Sequence, residues 1–145
     1  MSYLVDTNLL LRSVQPSHPM HPEAVRAVAE LSARGERISI IPQNLIEFWA
    51  VATRPVAANG LGLGVDEAAK EVTKLKALFP LLPDSGAIYD EWEALVTRHQ
   101  VKGKEAHDAR VVAAMLAHKV THLLTFNTDD FKRFTEITAV HPKDV

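Results

Sequence analysis

Tyr3-Leu4-Val5-Asp6-Thr7-Asn8 is an apolar run stopped by a carboxylate, followed by two polar residues suited to a helix N-terminus. It predicts a first strand over residues 2 to 6 that delivers Asp6 to its carboxyl end. Working outward, further strands are expected at 37 to 42, about 80 to 83, 121 to 126 and, more weakly patterned, 136 to 140. Helical periodicity fills the gaps: a short helix after Asp6, then 21 to 34, 43 to 54, 65 to 79, 86 to 100 and 105 to 118. Strands and helices in this alternation imply βαβ units, hence an α/β fold with a mainly parallel sheet covered on both faces. Ligands bind such sheets beyond the carboxyl ends of the strands.

Punctuation supports these divisions. Pro16, Pro19 and Pro22 break the segment before the second helix, and Pro42 closes a strand just before Gln43 opens the next helix. The stretch from Arg54 to Gly64 holds three of the six glycines and is expected to be an irregular loop, after which Asp66 is placed to cap a helix. Lys102-Gly103-Lys104 separates the last two helical patterns.

The chain has 145 residues, 47% of them hydrophobic and 23% charged, which suits one globular domain over 1–145. It contains no cysteine, which excludes a disulfide framework and a thiolate metal site. No basic segment leads into a long apolar run at the N-terminus, and no stretch approaches the roughly 20 apolar residues of a membrane span. A cytoplasmic protein with no membrane partner is therefore expected. A net charge of −2 rules out holding nucleic acid by bulk electrostatics, although Arg54, Lys102, Lys104, Arg110, Lys132 and Arg133 offer a local basic rim.

Carboxylates appear where apolar segments tolerate them poorly. Glu47 interrupts Leu45-Ile46-Glu47-Phe48-Trp49, and Asp108 shares a helix face with Val112 and Met115. With Asp6, and with Asn127, Asp129 and Asp130 after the strand ending at Thr125-Phe126, they are expected to gather at one sheet edge. Burying such groups is costly unless something compensates them. Oxygen ligands alone suit a hard cation such as Mg2+ or Mn2+, which keeps several waters and takes one or two carboxylates directly. Such an ion neutralises charge on a phosphate under attack, the chemistry of phosphodiester hydrolysis.

Each acid also has a plainer reading. Asp6, Asp129 and Asp130 each suit a helix cap or a solvated loop, and Glu47 or Asp108 suits a structural partner of Arg12 or Arg110. His18 and His21 have metal-like spacing, but Pro19 and Pro22 break the helix that would align them. His107 projects about 100° away from Asp108 and is given no role in proton transfer. Phe48 and Trp49 fit a core or a partner contact better than a base-stacking platform. The glycine-rich loop lacks the Gly-Lys-Ser/Thr ending of a phosphate cradle.

The order Val5-Asp6-Thr7-Asn8, Ile46-Glu47-Phe48-Trp49, His107-Asp108-Ala109 and Leu124-Thr125-Phe126-Asn127-Thr128-Asp129-Asp130-Phe131 resembles a PIN domain, above all the VapC-type toxins of bacterial toxin–antitoxin pairs. The resemblance spans nearly the whole chain and implies a three-layer α/β/α domain acting as a Mg2+-dependent endoribonuclease, with Mn2+ as a substitute. By motif, Asp6, Glu47, Asp108 and Asp130 take the acidic catalytic positions. Asp6 and Asp108 are then the direct metal ligands, Glu47 acts through water, and Thr7 and Asn8 give hydrogen-bond support. Asn127 stands where many relatives carry an acid, so Asn127 and Asp130 are alternatives for the fourth position.

The implied partners are an RNA substrate, a second copy in a homodimer, and a cognate antitoxin seated in an apolar groove near Leu10, Leu11, Phe48 and Trp49. Two rivals are weighed. A haloacid-dehalogenase-type phosphatase wants a second acid two residues after the first, and position 8 is Asn. A non-catalytic RNA- or protein-binding module of the same fold would show a degraded acidic set, whereas at least three members are present.

Overall fold

The computed structural model describes all 145 residues. Its elements run β1 (Ser2–Val5), α1 (Thr7–Ser13), α2 (His21–Ala33), β2 (Arg37–Ser39), α3 (Pro42–Ala52), α4 (Val65–Leu78), α5 (Gly86–Arg98), α6 (Glu105–Ala117), β3 (His122–Leu124) and β4 (Thr138–Val140). The four strands form one parallel sheet in the order β2-β1-β3-β4. Tyr3 stands beside Ile38 on one side and His122 on the other, which makes β1 an interior strand. The chain leaves β1 toward β2 and later returns to its opposite side as β3. The carboxyl ends of β1 and β3 therefore flank a topological switch point, where a crevice opens in sheets of this kind.

Alternation along the strands divides the core into two layers. Tyr3, Val5, Ile38, Ile40 and Leu124 face α1 to α4, packing on Leu9, Leu10, Ala27, Leu31, Phe48 and Leu75. Leu4 and Leu123 face α5 and α6, packing on Ile88, Leu95, Val112 and Met115. Helices on both faces give the three-layer α/β/α architecture. Each fully buried leucine in these layers contributes about 2 kcal/mol over its exposed state.

Four local expectations change. The strand at 80 to 83 shrinks to a single bridge between Ile40 and Leu81, with Ile40 N–H donating to the Pro80 carbonyl and Leu82 N–H to the Ile40 carbonyl. Prolines at 80 and 83 have no N–H to extend it. The second strand stops at Ser39, because Pro42 is the first helical residue of α3 instead of the last of the strand. Asp66 lies inside α4; its N-cap is Gly64, whose N–H is accepted by Glu67. Leu10, Leu11 and Phe48 are buried in the core and line no groove.

The glycine-rich segment is irregular apart from a 3-10 turn at Val56–Ala58, and it folds back along the end of α3. Gly62 N–H donates to the Arg54 carbonyl and Leu63 N–H to the Ala52 carbonyl. A Cβ on Gly60 would lie 2.0 Å from the Arg54 oxygen, so glycine alone permits that approach. No helix is long and apolar enough to cross a membrane.

Candidate active site

Asp6 is the N-cap of α1, a place the sequence reading gave to Thr7 and Asn8. Its Oδ1 accepts from the Thr7 N–H at 2.9 Å. Its Oδ2 accepts from Thr125 Oγ1 at 2.7 Å and from Asn8 Nδ2 at 3.3 Å. Asn8 Oδ1 accepts from the Phe126 N–H, and the Asp6 N–H donates to the Leu124 carbonyl. The ends of β1 and β3 are thus tied together around the carboxylate, and its orientation is fixed by both strands.

Glu47 reaches the same place from α3. Its Oε1 accepts from Thr7 Oγ1 at 2.9 Å, and its Oε2 from Gln43 Nε2 at 3.3 Å. Gln43 also donates to the His107 carbonyl and accepts from Arg110, which joins α3 to the first turns of α6. Below it, fully buried Asn44 donates to Thr7 Oγ1 and accepts from the Ile41 N–H. Thr7 therefore spends its proton on Glu47 and its lone pairs on Asn44. Neither Arg12 nor Arg110 pairs with these acids: Arg12 donates to Gln15, and Arg110 meets Gln43 and Asp84.

Asp108 projects from the first turn of α6, half-buried, and Asp130 stands exposed in the 3-10 turn Thr128–Phe131. Parallel topology brings the N-termini of α1, α3 and α6 to this edge, and their partial positive charge offsets part of the carboxylate repulsion. Repulsion is still felt. Burial first, and then the charges of Glu47 and Asp130, push Asp6 from 3.8 up to about 6, against the hydrogen bonds from Thr125 and Thr7. Burial, then Asp6, Asp130 and Glu47, push Asp108 up to about 6. Asp129 behaves differently: it turns away to Lys132 at 2.7 Å and is held below the usual carboxylate range by that ammonium.

The structure thus brings Asp6, Glu47, Asp108 and Asp130 within electrostatic reach of one another and leaves Asp129 outside. Asn127 is also exposed, and its backbone N–H donates to Thr125 Oγ1. Gln43, Asn44 and Thr125 also hold this cluster; nothing in the sequence marked the first two, and Thr125 stood only as part of the motif around Asn127. His18 and His21 stay apart, accepting from the Met20 N–H and meeting the Arg12 carbonyl, respectively. Of the basic rim, Lys132 and Arg133 are engaged by Asp129 and Glu105.

The raised Asp6 fixes the sign of a pH effect. Its proton is held more tightly in the folded state, so its contribution to stability is complete below 3.8 and is lost as the pH rises through about 6. A rise from 3.8 to about 6 corresponds to about 3 kcal/mol at neutral pH. An amide in its place loses one acceptor and about 1 kcal/mol of hydrogen bonding. In chelator, Asp6→Asn is therefore expected to stabilise the fold by about 1–2 kcal/mol at pH 7.5 and to be near neutral at pH 4.5. Urea denaturation at the two pH values checks this, and destabilisation at pH 7.5 contradicts it.

The fold has solved counterparts. VapBC-1 from nontypeable Haemophilus influenzae superposes with a TM-score of 0.73 at 15% identity, covering 99% of both chains. VapBC2 from Rickettsia felis, solved on a DNA fragment from its promoter, gives 0.72 at 16% identity over 97% of this chain and 98% of that one. Mycobacterium tuberculosis VapC20, described as a sarcin–ricin loop cleaving toxin, gives 0.66 at 17% identity over 90% and 93%. At these identities the likeness establishes the fold. No curated protein matches in sequence. The family model for the PIN domain matches residues 3–137, which take in all four clustered carboxylates and the strands that place them, and the chain belongs to the PIN domain family.

Proposed function

We propose that this chain is a divalent-metal-dependent endoribonuclease and the toxin half of a toxin–antitoxin pair. The observation that carries the reading is the convergence of Asp6, Glu47, Asp108 and Asp130 on the switch point of the sheet. Two of them are pushed up to about 6 by burial and mutual repulsion. The solved counterparts include VapBC complexes and a toxin that cleaves the sarcin–ricin loop, which supports RNA as the substrate and a protein antitoxin as the partner. The family resemblance also supports a homodimer.

No three Asp, Glu or His side chains stand close enough to enclose a metal ion by themselves. The donor set nevertheless fits Mg2+ or Mn2+, which needs only one or two direct carboxylates and completes its shell with water. Asp6 and Asp108 are the two that would hold it. When bound, the ion supplies charge neutralisation at the phosphate and a water of lowered pKa. Glu47, fixed by Thr7 and Gln43, orients the attacking water and takes its proton. Thr125 and Asn8 hold the orientation of the Asp6 carboxylate, and Asp130 adds its negative charge to the cleft.

The test is direct. Chelator-treated protein is expected to leave single-stranded RNA intact and to cut it internally once Mg2+ or Mn2+ is restored; inert protein under both conditions would overturn the reading. For the fourth acid, Asp130→Asn should weaken Mg2+ binding severalfold while Asp129→Asn leaves it unchanged, measured by calorimetric titration. Equal, negligible effects would make both surface residues.

A further inference from the structure

Beside the acidic cleft lies a second hollow that the cleavage chemistry does not use. It is an open cavity of about 420 Å3 between α5 and α6, lined by Ser85, Tyr89, Trp92, His107 and Arg110 among others. Its floor is rigid, because Trp92 Nε1 donates to the Ala106 carbonyl at 2.8 Å. Tyr89 stands over it 59% exposed, its ring centroid 5.7 Å from that of Trp92 and tilted by 37°. Tyr89 adds nothing to the core; its hydroxyl donates to Glu93 Oε2 at 3.1 Å, which holds the ring over the hollow. His107 and Arg110 also line the neighbouring cavity of about 500 Å3 that contains Gln43, Glu47 and Asp84. The two hollows therefore lie side by side, with His107 and Arg110 lining both.

We propose that the Tyr89–Trp92 hollow is a nucleoside subsite that holds the base flanking the cleaved phosphodiester of a single-stranded RNA. The proposal rests on the ribonuclease reading and deepens it. Every nucleobase has a π face, and two tilted aromatic rings beside a cationic junction are the usual means of holding one without pairing it. The volume suits one nucleoside, and neither ring belongs to a groove that needs a helix to fill it. Arg110 lines both hollows, where the phosphate joining that nucleoside to the next would pass; its guanidinium meets Gln43 and Asp84, and a phosphate would take the place of the exposed Asp84 contact. His107 offers a ring nitrogen to the base edge. A base seated here places the adjoining phosphate toward Glu47, so the subsite sets both the register of cleavage and the preference for the flanking base.

The probe is the indole N–H of Trp92 in a 15N-labelled protein, assigned by Trp92→Phe and compared with that of Trp49. Adenosine, guanosine, cytidine and uridine 5′-monophosphates are titrated in Mg2+, with inorganic phosphate as a control. At least one nucleotide should shift the Trp92 signal saturably while Trp49 stays in place, and phosphate alone should not move it. Tyr89→Ala should weaken that binding about tenfold, the scale of one lost stacking ring. It should also raise KM for RNA with kcat little changed, and Tyr89→Phe should restore both.

A Trp92 signal unmoved by every nucleotide, or moved equally well in Tyr89→Ala, overturns the subsite. So does a signal that responds only to a co-purified antitoxin, which would make the hollow a protein-docking site. If that overturning result accompanies intact metal-dependent cleavage, the ribonuclease reading survives. Saturable nucleotide binding in a protein that cuts no RNA retains the hollow and overturns the ribonuclease reading.

Discussion

Asp6→Asn and Asp108→Asn should each lower Mg2+-dependent RNA cleavage by about a hundredfold or more, the scale of losing charge stabilisation at a transition state. The folded structure should be unchanged. Both substitutions keep the shape of the side chain and remove its charge. In Asp6→Asn the amide oxygen would still accept from the Thr7 N–H as the cap of α1, and the backbone bond from Asp6 N–H to the Leu124 carbonyl still joins the strand ends, although the amide nitrogen no longer accepts from Thr125 and Asn8. The loss should appear in kcat and in Mg2+ affinity together, because these are the two carboxylates that would hold the ion. Circular dichroism and denaturation in chelator separate a chemical defect from unfolding, and the Asp6 variant should be the more stable protein at pH 7.5. Glu47→Gln should also lose cleavage but retain more metal affinity, since the role proposed for it runs through water. Wild-type cleavage by either aspartate variant would remove that residue from the site.

Co-expression with the neighbouring open reading frame should give a stable complex in which cleavage is lowered by about a hundredfold or more, with activity returning when the partner is removed. An arginine is the side chain suited to the inhibition, because it is always charged and can bridge Asp6 and Asp108 bidentately in place of a metal ion. The same cleft that repels its own carboxylates attracts that guanidinium. Of the four apolar residues the sequence suggested for the partner's grip, only Trp49 is available. Leu10, Leu11 and Phe48 are inside the core, whereas Leu45, Trp49 and Val72 line a shallow apolar hollow between α3 and α4, with Ile46 69% exposed at its rim. The expected partner therefore carries an apolar segment for that hollow and a cation for the cleft. A partner that co-purifies but leaves cleavage undiminished would contradict this account.

Much of the arrangement was legible in the order of residues. Short apolar runs ending in Asp6 and near Thr125 marked β1 and β3, and the apolar surroundings of Glu47 and Asp108 marked them as acids that need a reason. What the pattern could not carry was pairing across distance. Asn44 and Gln43 read as ordinary polar residues and Thr125 as a motif position without a role, because a hydrogen bond from position 125 to position 6, or from 44 to 7, exists only once the strands are aligned. Residues 80 to 83 have strand-like side chains, yet Pro80 and Pro83 lack the N–H groups that a ladder requires. Of adjacent Asp129 and Asp130, only the motif favoured the second; the physical reason is Lys132, which draws the first away. His107 lines both the aromatic hollow and the neighbouring cavity that contains Glu47.

The central claim is that the four-carboxylate cleft binds a divalent cation and that RNA cleavage follows its occupancy. Mn2+ titrated into chelator-treated protein can be followed by the loss of its free electron paramagnetic resonance signal, with RNA cleavage measured on the same samples. The account predicts saturable binding, cleavage that rises in proportion to bound Mn2+, and loss of both in Asp6→Asn. Cleavage at full rate in chelator, or Mn2+ binding unchanged by Asp6→Asn, would contradict it.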